Sequence, residues 1–219
     1  MSRRLSGRSV RPGLGPYLVG VGRLVVAANT TATMHLPQEA KSSDLLVGVL
    51  NIQGTQTITT LSGWTLIGDT LYNASANHFS TFYRFCGDSA RIISWTLSGS
   101  VTYSAYCLAF RGIDLSAPLD TFAELEDQAS TASPQTPGIT TSFNDLLLGV
   151  IATAGTRHAT KIDIPYLQLP TAIRAADRTI ILATKNPSQP FAFPAATHTI
   201  SSSAAYGSQV VGLRVGYGQ

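Results

Sequence analysis

The residues of this 219-residue chain that could do chemistry are four histidines and one group of acids near the middle. The histidines stand in no HExxH, HxH or CxxC context, so their spacing does not favour a metal site. They are His35, His78, His158 and His198. The two cysteines, Cys86 and Cys107, lie in apolar runs and show no metal-binding spacing either. We therefore expect no metal and no cofactor.

The acids lie within residues 119–131, and they are Asp120, Glu124, Glu126 and Asp127. Their spacing does not match an EF-hand loop. The segment could be a strand or a short helix. On a strand, Glu124 and Glu126 share one face, as a carboxylate pair for glycoside hydrolysis would require. A solvated strand face gives the same pattern.

Two stretches of the chain repeat each other. Residues 44–54 read DLLVGVLNIQG and residues 145–155 read DLLLGVIATAG, while 95–114 and 198–217 share Thr, Ser, Tyr and Arg positions in register. The two matches have nearly the same separation along the chain, and a repeat of this length is a domain-sized half rather than a solenoid unit. The sequence therefore predicts a duplicated β module.

The repeats also duplicate charged residues, which are Asp44 with Asp145 and Arg111 with Arg214. An aspartate that precedes a buried run is most simply a cap that accepts backbone N–H groups. A catalytic group rarely needs to be present twice, so we interpret all four residues as structural.

The periodicity of the chain is that of strands. Apolar residues alternate with a period of two in 102–111 and 78–85, and turn formers separate such runs at intervals typical of a sandwich. The predicted fold is all-β: a jelly-roll-like antiparallel β-sandwich formed by two pseudo-symmetric halves, with an extended N-terminal arm. The expected boundaries are 1–23 for the arm, 24–131 for the first half and 132–219 for the second.

Charge is scarce and unevenly placed. Charged residues make up only 12% of the chain, and no acid precedes Glu39 although the first 23 residues hold five arginines. We expect the arm to bind a neighbouring subunit, because a Gly-, Pro- and Arg-rich segment builds no core of its own. Nucleic acid is a less favoured partner. The arm residues that would make these contacts are Arg3, Arg4, Arg8 and Arg11. No apolar stretch is long enough to predict membrane insertion.

Two aromatic residues are candidates for a glycan contact. Trp64 and Tyr72 flank the run TLIGDTL, and aromatic faces stack on sugars in carbohydrate-binding sandwiches. The alternative interpretation is that Trp64 closes one end of the core.

The succession DLLVGVL, SGWTLIGDT, FSTFYRF, ISWTLSGS and YCLAFRGID resembles a β-sandwich module of bacteriophage and prophage virion proteins. The likeness covers residues 40–114 well and 139–215 more loosely. It implies a non-enzymatic structural protein of the virion, either a minor tail or fibre-associated protein or a capsid decoration protein. Its partners would be other virion proteins and copies of itself in a homo-oligomer.

Two other classes of function remain open. The first is a carbohydrate-binding or adhesin module that recognises host surface glycans. The second is a jelly-roll hydrolase or lyase that uses Glu124, Glu126 or Asp127.

Overall fold

The computed structural model describes residues 16–59, 61–87, 91–142, 145–155, 157, 159–161, 167–168, 179–185 and 191–216. Within these ranges the regular structure is entirely β, which confirms the predicted all-β class. The strands are β1 (Tyr17–Val21), β2 (Val25–His35), β3 (Leu45–Gln53), β4 (Thr65–Tyr72), β5 (Asn77–Phe85), β6 (Ile92–Arg111), β7 (Leu119–Thr131), β8 (Gln135–Thr136), β9 (Ile139–Thr141), β10 (Leu146–Thr153), β11 (Ala159–Lys161), β12 (Leu167–Gln168), β13 (Thr179–Lys185), β14 (Phe191–Phe193), β15 (Ala196–Thr197), β16 (Thr199–Ile200) and β17 (Ala204–Leu213).

The first large sheet has the strand order β1-β6-β3-β5-β4, and its pairings are antiparallel. Its central strand β3 is apolar on both faces, and eight of its nine residues are buried. Such a run is stable only where both faces of the sheet are covered. Strand β6 is 20 residues long, and its first part extends past β3 to pair with β2.

The second large sheet has the order β12-β13-β10-β17-β7 and is also antiparallel. Strand β7 pairs with β17 in this sheet, although its residues fall in the range 24–131 expected for the first half. Strand β1 pairs with β6 in the first sheet, although its residues fall in the range 1–23 expected for the arm. Three short ladders, β11-β16, β14-β9 and β15-β8, accompany the second sheet.

The two large sheets share one hydrophobic core. Alternate residues of the first sheet, among them Val47, Val49 and Leu108, belong to the same buried cluster as Leu148 and Val210 of the second. This arrangement is that of a β-sandwich, in which the inward residues of two sheets interdigitate. Its formation is driven by the removal of these apolar side chains from water.

A series of hydrogen bonds between polar side chains crosses the interface between the two large sheets. The side-chain amide of Gln209 on β17 donates to Thr70 Oγ1 on β4 at 2.6 Å, and its oxygen accepts from Thr81 Oγ1 on β5 at 2.7 Å. Thr70 in turn donates to Glu124 Oε2 on β7 at 2.6 Å. Gln209 and both threonines are fully buried, so these bonds fix how the sheets are aligned, since slippage would leave polar atoms unpaired.

The opposite face of the first sheet is covered by its own chain. The β2–β6 ribbon places Met34 and Trp95 in a second buried cluster with Leu46, Leu50 and Phe82. The rings of Trp95 and Phe82 lie 5.9 Å apart between centroids. Gly48 on β3 allows this close packing, since a Cβ there would lie only 3.0 Å from the Met34 side chain.

Candidate functional site

The repeated aspartate and arginine of the first half form a closed ion pair. Arg111 donates from Nε to Asp44 Oδ1 and from Nη2 to Oδ2, each at 2.7 Å. Asp44 also accepts the backbone N–H of Lys41 at 2.8 Å, as expected for a cap. The hydrogen bonds from Arg111 to Asp44 raise the pKa of the guanidinium. Such a bidentate clamp joins the start of β3 to the end of β6.

The second half uses the same residue types differently. Arg214 Nη2 donates to Asp120 Oδ1 on β7 at 2.8 Å, rather than to the repeated Asp145. Asp145 is fully buried, and unlike Asp44 it has no arginine bonded to its carboxylate. Burial, and then the neighbouring Asp120 carboxylate, raise the pKa of Asp145 to about 7. In the opposite direction, hydrogen bonds from Arg214 and Ser142 outweigh burial and lower the pKa of Asp120. The pair therefore holds one proton below about pH 7 and loses it above that pH.

The acids of β7 mostly attach that strand to its neighbours. Asp127 accepts from Ser75 N at 2.8 Å and from Ser75 Oγ at 2.6 Å, in the β4–β5 turn. These bonds lower the pKa of Asp127. The turn needs such support because Asn73, Ala74 and Ser75 all have positive φ, between 53° and 59°. Glu124 accepts from Thr70 as described above.

The side chain of Glu126 has no bond to a described residue, and it is exposed beside a bulge in β7. Glu124 is bonded to Thr70 across the sandwich, and among the described residues no contact joins it to Glu126. Glycoside hydrolysis needs two carboxyl groups that flank one bond.

His78 is held between two acceptors. Its Nδ1 lies 3.1 Å from Asp69 Oδ1, and its Nε2 lies 2.8 Å from the carbonyl oxygen of Gln56. Ser80 donates to the same Asp69 oxygen at 2.5 Å. Although burial alone would raise it, the hydrogen bonds from His78 and Ser80 lower the pKa of Asp69. Neither ring nitrogen of His78 faces Ser80 as a base, so these three residues do not have the arrangement of a nucleophilic triad.

The other histidines do not converge on a site. His198 is fully buried with its Nε2 3.3 Å from Thr136 Oγ1, His35 ends β2, and His158 lies outside the described residues. Among the residues that the structure describes, no group of three or more His, Cys, Asp or Glu side chains could hold a metal ion.

The two predicted glycan-contact residues are both buried. Tyr72 is 0% exposed, its ring packs edge-on against Phe79, and its hydroxyl donates to Asn51 Oδ1 at 2.7 Å. Trp64 is 5% exposed and lies in the cluster under the β2–β6 ribbon. Neither ring offers an open face on which a sugar could stack in this conformation. This placement agrees with the core interpretation of Trp64.

The side chains around Trp64 form a cluster that the sequence did not indicate. The rings of Trp64 and Trp95 lie 5.7 Å apart, and the guanidinium carbon of Arg84 lies 5.1 Å from the centre of the Trp64 ring. Four buried donor atoms here have no hydrogen-bond acceptor among the described residues: Nε and Nη2 of Arg84 and Nε1 of each tryptophan. We call Arg84, Trp64 and Trp95 the Arg84 cluster.

The position of Arg84 in the alternating pattern of β5 is the signal that could have identified it. Arg84 lies two residues after the buried Phe82 and therefore on the same face of β5, and a charged residue on a buried strand face needs a partner. The neighbouring Cys107 is a free, buried thiol. Burial raises the pKa of this thiol, and the charge of Arg84 offsets that rise only in part.

Arg3, Arg4, Arg8 and Arg11 lie outside the described residues. The described part of the chain contains no helix long and apolar enough to span a membrane. No protein-family model, curated protein or solved structure matches the chain.

Proposed function

We propose that this chain is a non-enzymatic structural protein of a bacteriophage virion, an accessory component of the tail or of the capsid surface. The observation that carries the proposal is how the repeated sequence is used. Each repeated Asp-Leu-Leu run is a central, fully covered strand, β3 in one sheet and β10 in the other, and the sheets close on each other. Such a body suits a rigid building block that is assembled in several copies.

The duplication is part of the proposal. In the first sheet, four neighbouring strands lie in the order β6-β3-β5-β4. In the second sheet, the strands at the corresponding places lie in the same order, β17-β10-β13-β12. The repeated segments lie in β3 and β10 and in β6 and β17, which are neighbours in both sheets. This parallel supports two pseudo-symmetric halves. A jelly-roll-like connectivity stays a prediction, and each large sheet here draws its strands from one part of the chain.

The polar groups support the same function. Asp44, Asp69, Asp120 and Asp127 each accept hydrogen bonds that join strands or turns. Groups engaged in this way hold strands and turns together, which supports a structural role. The alternative, a glycan-binding adhesin, would require exposed aromatic faces, and Trp64 and Tyr72 do not supply them.

The N-terminal arm is proposed as the segment that docks on neighbouring virion subunits, through Arg3, Arg4, Arg8 and Arg11. The low charge of the remainder, with charged residues at 12% of the chain, suits a protein packed among copies and partners. The proposed location is the particle surface.

The test is incorporation into particles. Phage particles from cells that express a tagged copy are purified on a density gradient, and the tagged chain is quantified by mass spectrometry. We expect it to sediment with the particles at a fixed ratio to their other proteins. A variant with Arg3, Arg4, Arg8 and Arg11 changed to Gln should stay folded but leave the particle fraction, while the matched control Arg23→Gln should remain. Recovery of the unaltered chain only in the soluble fraction would refute the proposal.

A further inference from the structure

Positive and negative charge are segregated along this chain. The first 23 residues hold five arginines and no acid, whereas residues 112–156 hold six of the twelve acids and neither lysine nor arginine. Two segments of opposite charge attract each other and repel copies of themselves. The sequence therefore carries both partners of an electrostatic contact.

Three of these acids are exposed within four residues of β7. They are Glu124, Glu126 and Asp127, and among the described residues none of them pairs with a lysine or arginine. Glu124 accepts a bond from Thr70, and Asp127 accepts two from Ser75. The bonds from Ser75 lower the pKa of Asp127, so this carboxyl is ionised at neutral pH. The surface is therefore negative and lacks a described cation.

These acids lie on an accessible edge of the second sheet. β7 is the last strand of that sheet, and β17 is the only described strand that pairs with it. Near the start of β7 the surface is occupied, because Asp120 bonds Ser142 and Arg214. From Glu124 onward no described strand runs along the outer edge, which leaves room for a segment of another molecule. A bulge beside Glu126 interrupts the ladder, so side-chain charge rather than long backbone pairing suits this edge.

The arm leaves the body on the side away from this edge. β1, which begins at Tyr17, and β4 are the two edge strands of the first sheet. β7 packs beside β4, as the bond between Glu124 and Thr70 shows. The 15 residues that precede the described part of the chain reach up to about 50 Å when extended. A basic arm on one side and an acidic edge on the other favour a head-to-tail contact between copies.

From charge, access and placement we infer that the β7 edge from Glu124 to Asp127 is the docking site for the arm of a second copy of this chain. The inference rests on the docking role proposed above for the arm, and it names the surface that the arm binds. The arginines of residues 1–11 pair with the carboxylates of the edge as guanidinium–carboxylate contacts. One such pair on an exposed surface contributes little, so the affinity comes from several pairs acting together.

Sedimentation velocity of the purified full-length protein tests the inference. We expect reversible self-association that weakens when salt is raised from about 50 to about 500 mM, because ions screen exposed charges. Glu126→Lys reverses an exposed charge that bonds no described residue, and it should raise the Kd of self-association by about tenfold or more. The matched control Glu39→Lys makes the same change of charge at an exposed acid outside β7, and it should associate as the unaltered protein does.

A mixture of two variants tests the head-to-tail geometry. The variant with Arg3, Arg4, Arg8 and Arg11 changed to Gln keeps its acidic edge, and Glu126→Lys keeps its arm. Each variant alone should sediment as a monomer. Their equimolar mixture should form a 1:1 dimer and nothing larger, because the dimer has no second working arm and no second working edge. A dimer in the mixture also shows that both variants are folded.

A monomeric unaltered protein at about 50 mM salt would overturn the inference, and it is the result expected if the arm binds its own body or nucleic acid. Self-association of Glu126→Lys with an unchanged Kd would overturn it too, as would a mixture that forms no dimer. These measurements need only the purified chain. Self-association and incorporation into particles can therefore fail separately.

Discussion

The repeated aspartates Asp44 and Asp145 should respond to the same substitution in opposite ways. Asp145→Asn removes an acid that is fully buried beside Asp120 and has no arginine bonded to it. Asp44→Asn removes an acid that Arg111 clamps with two hydrogen bonds of 2.7 Å. We therefore expect Asp145→Asn to stabilise the protein at pH 8 and Asp44→Asn to destabilise it.

The magnitude for Asp145 follows from proton linkage. Its pKa is about 7 in the folded protein and 3.8 when unperturbed, so between these values the folded state holds a proton that the unfolded state has released. Stability then falls as the pH rises through this window, by about 1.4 kcal/mol per pH unit at most. Above pH 7 the accumulated loss reaches about 4 kcal/mol as an upper figure. An amide in place of the carboxyl is neutral at every pH and is free of this loss.

The assay is urea unfolding of the unaltered protein and of Asp145→Asn at several pH values from 4.5 to 8. The difference between the two proteins cancels the groups that titrate in both, and it should grow with pH in favour of Asp145→Asn. Asp44→Asn provides the matched control and should lose about 1–3 kcal/mol at neutral pH, because it weakens charge-assisted hydrogen bonds. A difference between the unaltered protein and Asp145→Asn that stays constant from pH 4.5 to 8 would refute the reasoning.

Three further changes test how the sheets are held. Gln209→Leu leaves the Thr81 hydroxyl without its acceptor and Thr70 without its donor, and it should cost about 1–3 kcal/mol in urea unfolding; an unchanged midpoint would contradict the role of these hydrogen bonds between the sheets. Gly68→Ala places a methyl group against the Phe122 ring and should cost about 1–3 kcal/mol in thermal unfolding, and Phe122→Leu in the same chain should recover part of it. If Phe122→Leu recovers none of the lost stability, the added methyl group does not clash with Phe122. Arg111→Gln leaves the buried Asp44 carboxylate without its cation and should cost about 3 kcal/mol in urea unfolding. A loss smaller than that of an exposed control, Arg23→Gln, would contradict the clamp.

The strands and the core could largely be predicted from local pattern. The apolar runs of β3 and β10 and the alternation in β5 and β6 indicate buried strands at the places where the structure has them. Prediction from the local pattern succeeds here because successive side chains of a strand point to opposite faces, so residues close in sequence show which face is buried. Trp64 is 5% exposed, as the core interpretation of this residue predicts, since a large apolar ring gains free energy by leaving water.

The acidic segment 119–131 shows where local pattern is insufficient. The local pattern predicts either a strand or a short helix there, as part of the first half, whereas β7 pairs with β17 in the second sheet. Its acids bond residues that are distant in sequence: Glu124 bonds Thr70 on the facing sheet, and Asp120 bonds Arg214. Spacing within the segment carries no information about those partners.

By itself the sequence determined that the chain is all-β, which runs form central strands, and which residues are repeated. Only the tertiary structure decided what each repeated residue does: Asp44 receives an arginine, while Asp145 receives a second carboxyl group and a raised pKa. It also decided that the Arg84 guanidinium lies over the ring of Trp64. The reason is that strand formation depends on neighbours along the chain, whereas charge pairing depends on groups that only the packing of distant strands brings within a few ångströms.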